Sequence, residues 1–293
     1  MTAIGVDIGG TKTIAALVEN GTVRDRSAGP TPAGSGPDAV LAHAAGLVGD
    51  LGARADVPVG VGTAGTIDPG TGVVRYATDS LPGWAGTPVA AELRHRTGRR
   101  VSVDNDVNAA ALGEARHGAG REHGRVLLAA VGTGVGGGLV VGGRVCRGPR
   151  GTATELAHLY VGETADPCGC GRHGHLEAVA SGTGIAHAYA RSSGEHVPAH
   201  EIARRADAGE AAAAGVLAHA ADVLGRTLAG CVAVLDVDVV VLAGGVTPSV
   251  LEAATESYRH ELLDPHADVA LVPARLGGDA VAVGAADLTE EET

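Results

Sequence analysis

The sequence has no phenylalanine, one tryptophan, four tyrosines and one methionine in 293 residues. Without aromatic bulk, the core has to be assembled from Ala, Val, Leu and Ile. The 47 glycines are then expected at turns and at close backbone contacts. Four cysteines in a chain of this length exclude a disulfide scaffold. Positive charge is scarce: 22 Lys and Arg stand against 34 Asp and Glu, a net charge of -12. That balance argues against a general nucleic-acid or membrane surface. No charged segment followed by an apolar run opens the chain, and no apolar stretch reads as approaching membrane length, so a cytoplasmic protein is expected. The length suits one large domain or two lobes. Among the basic residues Lys12 is the only lysine, which marks it for attention.

What the chain does contain is concentrated between Glu155 and Glu177. His158, Cys168, Cys170 and His175 bring four nitrogen and sulfur donors into one stretch, with glycines at 169, 171 and 174 to let the backbone turn tightly. Two cysteines one residue apart do not readily form a disulfide with each other, so a shared metal is the better account. Zinc suits thiolate and imidazole in a closed tetrahedral shell, and four protein ligands leave no open position for a reacting water. The site is therefore expected to be structural. Cys146 and Cys231 are expected to be buried thiols.

A pattern also repeats. Ile4 to Ile8, Gly9-Gly10-Thr11-Lys12, an apolar run to Val18 and the turn Asn20-Gly21 form the first copy. Val126 to Val131, the glycine turn Gly132 to Gly138 with Thr133, Leu139 to Val141 and the turn Gly142-Gly143 form the second. Each reads as strand, glycine turn, strand, hairpin, strand. Two related lobes follow, drawn at residues 1–118 plus 280–293 and 119–279. The turn amides of Gly9, Gly10 and Thr11 form an anion-binding concavity beside Lys12, and Asp7 at the strand end is placed to hold Mg²⁺. Gly132, Thr133 and Gly134 offer a second concavity. Gly244-Gly245-Val246, after the β-branched run Asp238 to Ala243, permits close approach of a flat ligand such as adenosine. The three turns together point to a nucleotide held between two lobes.

Elsewhere, Val57 to Val61 and Val101 to Val103 read as strands. Asp68 to Gly72 reads as a turn, and Arg26 to Asp38 as a surface loop. Asn108 to His117, Ala211 to Ala233 and Val281 to Leu288 read as helices, with Asp106 or Asn108 capping the first. The acidic end, Thr289 to Thr293, is expected to fray.

DIGGTK at 7–12, VDNDVNAAALGE at 103–114, VGTGVGGG at 131–138, TELAH at 154–158 and CGCGRHGHLE at 168–177 together resemble the ROK family of bacterial sugar kinases. The resemblance covers essentially the whole chain. It implies an α/β, two-lobed actin/hexokinase-like (RNase H-like) ATPase fold with central mixed sheets and an interlobe cleft. Two positions depart from the family pattern: Ala157 stands where glycine is usual, and His175 where a third cysteine is usual. The resemblance implies Asp106 as catalytic base. It also implies Gly65, Thr66, Asn105, Asp106, Glu155, His158 and Glu177 as sugar contacts. The physics agrees, because carboxylates and amides match hydroxyls that both donate and accept.

The expected activity is ATP-dependent phosphorylation of a primary hexose hydroxyl, O6, with glucose as the default sugar. ATP with Mg²⁺ and a structural Zn²⁺ are the expected cofactors, and a homodimer or homotetramer the expected assembly. N-acetylmannosamine or another amino sugar is the alternative substrate. A non-catalytic sugar-sensing regulator is the alternative class, against which the presence of Asp7, Lys12 and Asp106 weighs.

Overall fold

The computed structural model describes residues 1–77 and 80–291. Its elements, in chain order, are β1 (Thr2–Ile8), β2 (Lys12–Glu19), β3 (Thr22–Pro30), α1 (Pro37–Asp50), β4 (Val59–Thr63), β5 (Thr66–Ile67), β6 (Val74–Tyr76), α2 (Val89–Thr97), β7 (Val101–Asn105) and α3 (Asp106–His117). They continue with β8 (Arg125–Val131), β9 (Val135–Val141), β10 (Arg144–Val145), α4 (Glu177–Ala180), α5 (Gly182–Ser193), α6 (Ala199–Asp207), α7 (Ala211–Leu235), β11 (Val239–Ala243), α8 (Thr247–Glu261), β12 (Ala270–Pro273) and α9 (Ala280–Leu288).

Two five-stranded sheets carry the architecture. Their orders are β3-β2-β1-β4-β7 and β10-β9-β8-β11-β12. Numbered within each sheet, both read 3-2-1-4-5, so the repeated sequence pattern is a repeated topology. Both are mixed: β1 pairs antiparallel with β2 and parallel with β4, and β10 pairs antiparallel with β9 while β11 runs parallel to β8 and β12. β1 and β4 are buried on both faces, which explains their unbroken apolar runs; β3 is an exposed edge rich in polar residues. Two compact units result. The first comprises Met1–Glu122, Gly138–Ala153 and Arg275–Thr293; the second comprises His123–Gly137 and Thr154–Ala274.

In the first unit α9 lies on β1, β4 and α3. A Cβ on Gly5 or Gly60 would collide with the backbone carbonyls of Ala282 and Ala285. Helix and sheet approach closely because these positions carry no side chain, which is how a chain without phenylalanine still packs densely. The single tryptophan, Trp84, is 1% exposed, and its indole N–H donates to Thr63 Oγ1 at 3.2 Å.

Several expectations are corrected. Arg26 to Pro30 is strand rather than loop, because β3 continues to pair with β2 as far as Pro30 opposite Lys12; a proline is tolerated there because the strand is an edge. The second glycine turn is shorter than it reads: Gly136 to Gly138 lie within β9, where a Cβ on Gly138 would press on Ala111 and Val107. Asn105, not Asp106 or Asn108, caps α3, its Oδ1 accepting from the amides of Val107 and Asn108. Cys146 is exposed, because it follows the short hairpin strand β10 rather than entering the core; Cys231 is buried. By length and composition alone α7 is apolar enough to cross a membrane, contrary to the expectation, yet half of it is buried against α8, α6 and α5. The acidic end does not fray at Glu291, whose side chain is 4% exposed and paired with Arg147; Glu292 and Thr293 lie outside the described residues.

Candidate active site

In the first unit three parallel strands end together. Asp7 of β1 lies opposite Gly62 of β4, which lies opposite Asp104 of β7; Ile8, Thr63 and Asn105 form the next row. The first glycine turn, the loop at Gly65 and the start of α3 therefore emerge side by side, at the carboxyl ends of strands where α/β sites form. The Gly9 amide donates to the Lys12 carbonyl at 3.1 Å and closes the turn. Thr31 steadies it, its hydroxyl donating to the Gly9 carbonyl at 2.7 Å. Thr11 and Lys12 are exposed. Asn105 Nδ2 donates to the Gly65 carbonyl at 3.1 Å, which joins the Gly65-Thr66 segment to Asn105 and Asp106.

Asp106 opens α3, and its own Oδ1 accepts from the Val107 amide at 2.9 Å. Protein surrounds it closely enough that burial pushes its pKa up, against the lowering pull of that amide. Asp7 is raised to about 7, first by burial and then by the like charge of Asp106, with Lys12 opposing. Asp7 and Asp106 are near enough for one carboxylate to raise the other, and paired carboxylate oxygens suit a divalent cation.

In the second unit the four metal-type donors converge. One ligand atom from each of His158, Cys168, Cys170 and His175 lies within 4.8 Å of the others, a cluster that can hold a metal ion. Cys168 Sγ lies 3.6 Å from His158 Nδ1, and Cys170 Sγ 3.3 Å from His175 Nδ1. The two rings are 5.3 Å apart. Two thiols and two imidazoles at this spacing fit tetrahedral zinc. His175 thus reaches the cluster where the family usually has cysteine. Burial, and then the Glu177 carboxylate, push the Cys168 thiol up to about 12.

Glu177 sits between the cluster and the second glycine turn. Its Oε1 accepts from Cys168 Sγ and from the Gly169 amide, both at 3.2 Å, and its Oε2 accepts from the Val135 amide at 3.3 Å. A Cβ on Gly134 would stand 2.7 Å from Oε2, so any larger residue there would push the carboxylate aside. The same turn is held by the Gly182 amide on the Gly132 carbonyl at 2.8 Å and by the Thr183 hydroxyl on the Thr133 carbonyl at 2.9 Å. Glu155 lies close by; burial raises its pKa, His158 opposes and Glu177 adds to it. Gly244 has φ +99°, and a Cβ there would collide with the Val131 carbonyl, to which the Val246 amide donates at 3.0 Å. Gly244-Gly245-Val246 and the turn at 132–134 thus share the ends of β8 and β11. The sequence reading missed Thr183 and the contact of Glu177 with the turn. Ser181, which caps α5, was the one local signal that this stretch turns there.

A sequence profile described as the ROK family matches residues 3–292. The chain is 34% identical over 260 residues to a glucokinase of Thermotoga maritima, covering 83% of this chain and 82% of that one. It is 36% identical over 295 residues to an N-acetylmannosamine kinase of Escherichia fergusonii, covering 100% and 99%. A ROK family glucokinase from Streptomyces griseus, solved with glucose and AMPPNP, superposes with a TM-score of 0.84 at 31% identity, covering 99% of this chain and all of that one.

Proposed function

The chain belongs to the ROK family, and on that premise we propose that it is an ATP-dependent sugar kinase that phosphorylates the primary hydroxyl of a hexose. The observation that carries the reading is the shared row Asp7–Gly62–Asp104, which sets the acid of the first glycine turn beside the segment bearing Asp106.

We assign Asp7, Gly9, Gly10, Thr11 and Lys12 in the first unit, and Gly132, Thr133, Gly134, Gly244, Gly245 and Val246 in the second, to the nucleotide. Gly65, Thr66, Asn105 and Asp106 are assigned to the sugar, as are Glu155, His158 and Glu177. Glu177 already serves three protein donors, yet a carboxylate offers about four acceptor sites, so a hydroxyl can still be accepted. Phosphoryl transfer asks for alignment and charge neutralisation rather than covalent help. Asp106 orients the attacking hydroxyl and takes its proton, and a raised pKa suits that task. Mg²⁺, for which Asp7 is the candidate residue, neutralises phosphate charge when bound. Zinc, on His158, Cys168, Cys170 and His175, ties its loop together when bound. With both histidines facing the thiols through Nδ1, His158 keeps Nε2 for a hydroxyl. A cytoplasmic homodimer or homotetramer completes the proposal.

The test is Asp106→Asn. Sugar affinity by calorimetry should persist while kcat falls by about a hundredfold or more. Near-normal turnover would overturn the assignment. Glucose is the first substrate to try. The kinase of N-acetylmannosamine is a second reading, favoured by full-length similarity at 36% identity. ADP release across a panel holding both sugars decides between them.

A further inference from the structure

We infer that Arg147 and Glu291, far apart in sequence, are positioning residues for the transfer: together they hold the segment that presents Asp106. Asp104 is 4% exposed. Its Oδ1 accepts from the Asn105 amide at 2.7 Å and from Asn108 Nδ2 at 2.9 Å, so it grips the chain on both sides of Asp106. Its Oδ2 accepts from Arg147 Nε at 2.5 Å. Arg147 then reaches Glu291 Oε2 through Nη2 at 2.5 Å, and Glu291 Oε1 accepts from the Val145 amide at 2.9 Å. Arg144 Nη2 donates to the Glu291 carbonyl at 3.1 Å.

The side chains of Asp104 and Glu291 are only 5% and 4% exposed. Buried charges persist when each is paired and hydrogen-bonded, and breaking one member leaves the others uncompensated. Arg147 is the one guanidinium that both carboxylates meet through ion pairs among the described residues. A planar fork bonding two carboxylates fixes direction as well as charge. Glu291 is thereby part of the support of Asp106. Loss of Glu291 frees one arm of Arg147, and Asp104 then holds the first turn of α3 less firmly.

The inference rests on the kinase reading in which Asp106 is the base, so Asp106→Asn is run beside it on the full-length enzyme. Glu291→Gln and Arg147→Ala are assayed for kcat, for KM of ATP and sugar, and for melting temperature. Glutamine has one acceptor oxygen where two are used, so Glu291→Gln keeps shape and loses one bond. Each variant should lose about tenfold to a hundredfold in kcat, with KM for ATP unchanged. Guanidinium added to Arg147→Ala should restore kcat saturably and leave Glu291→Gln unaffected. Wild-type kcat in Glu291→Gln, or kcat and ATP affinity falling in step with melting temperature, overturns the inference. Should Arg147→Ala not fold, Glu291→Gln decides alone. Full activity in Asp106→Asn instead removes Asp106 as the base, and with it the premise of this inference.

Discussion

Asp7 holds a carboxyl group raised from 3.8 to about 7, first by burial and then by Asp106. The unfolded chain gives up that proton near pH 4 and the folded chain near pH 7, so the folded state binds more protons in between. Stability is therefore lost as pH rises through that window. Asp7→Asn should recover the loss. At pH 8, in chelator and without nucleotide, it should unfold at higher urea than the parent, by up to about 4 kcal/mol if the whole shift is realised. The gain should fade as pH falls towards 4, and equal urea midpoints at pH 8 would contradict it. The sequence marked Asp7 by its place at the end of an apolar run before a glycine turn, and Asp106 through the family resemblance. It did not show that they feel each other, because they stand 99 positions apart and strand β4 lies between their strands in the sheet.

Among the elements, the second glycine turn and the metal loop are coupled through Glu177 and the start of α5. Removing metal should loosen Gly169 and, through Glu177, the Val135 amide. Hydrogen exchange of residues 131–136 should accelerate on chelation, and Glu177→Gln should do the same with metal present, having one acceptor oxygen for two amides. Unchanged exchange at Val135 in both cases would mean that the turn stands independently. The His/Cys cluster was legible because its four donors fall within 18 residues, His158 to His175, and glycine turns suffice to gather them. The turn itself was misread at Gly136 to Gly138, since a run of glycines gives the same local signal in a turn and in a strand crowded by a neighbour.

Across the whole molecule, two sheets of matching strand order answer the two copies of the sequence pattern. Small residues set their packing. Gly60→Ala, at a point where β4 touches the α9 backbone, should cost about 1–3 kcal/mol or more in urea unfolding. A neutral result would mean that α9 shifts freely. By itself the sequence determined the central strands, the places of the glycine turns, the four clustered His and Cys donors and the family, because these are written in short-range periodicity and spacing. Tertiary structure alone decided that Asn105 caps α3, that Arg147 joins Asp104 to Glu291, and that the Glu114 carboxylate receives the amides of Ala119, Arg275 and Leu276. Most of these bonds link residues more than 40 positions apart, and even the cap was chosen by geometry that DND alone leaves open. Which buried charge finds which partner depends on how the elements stack, and local pattern holds no record of that.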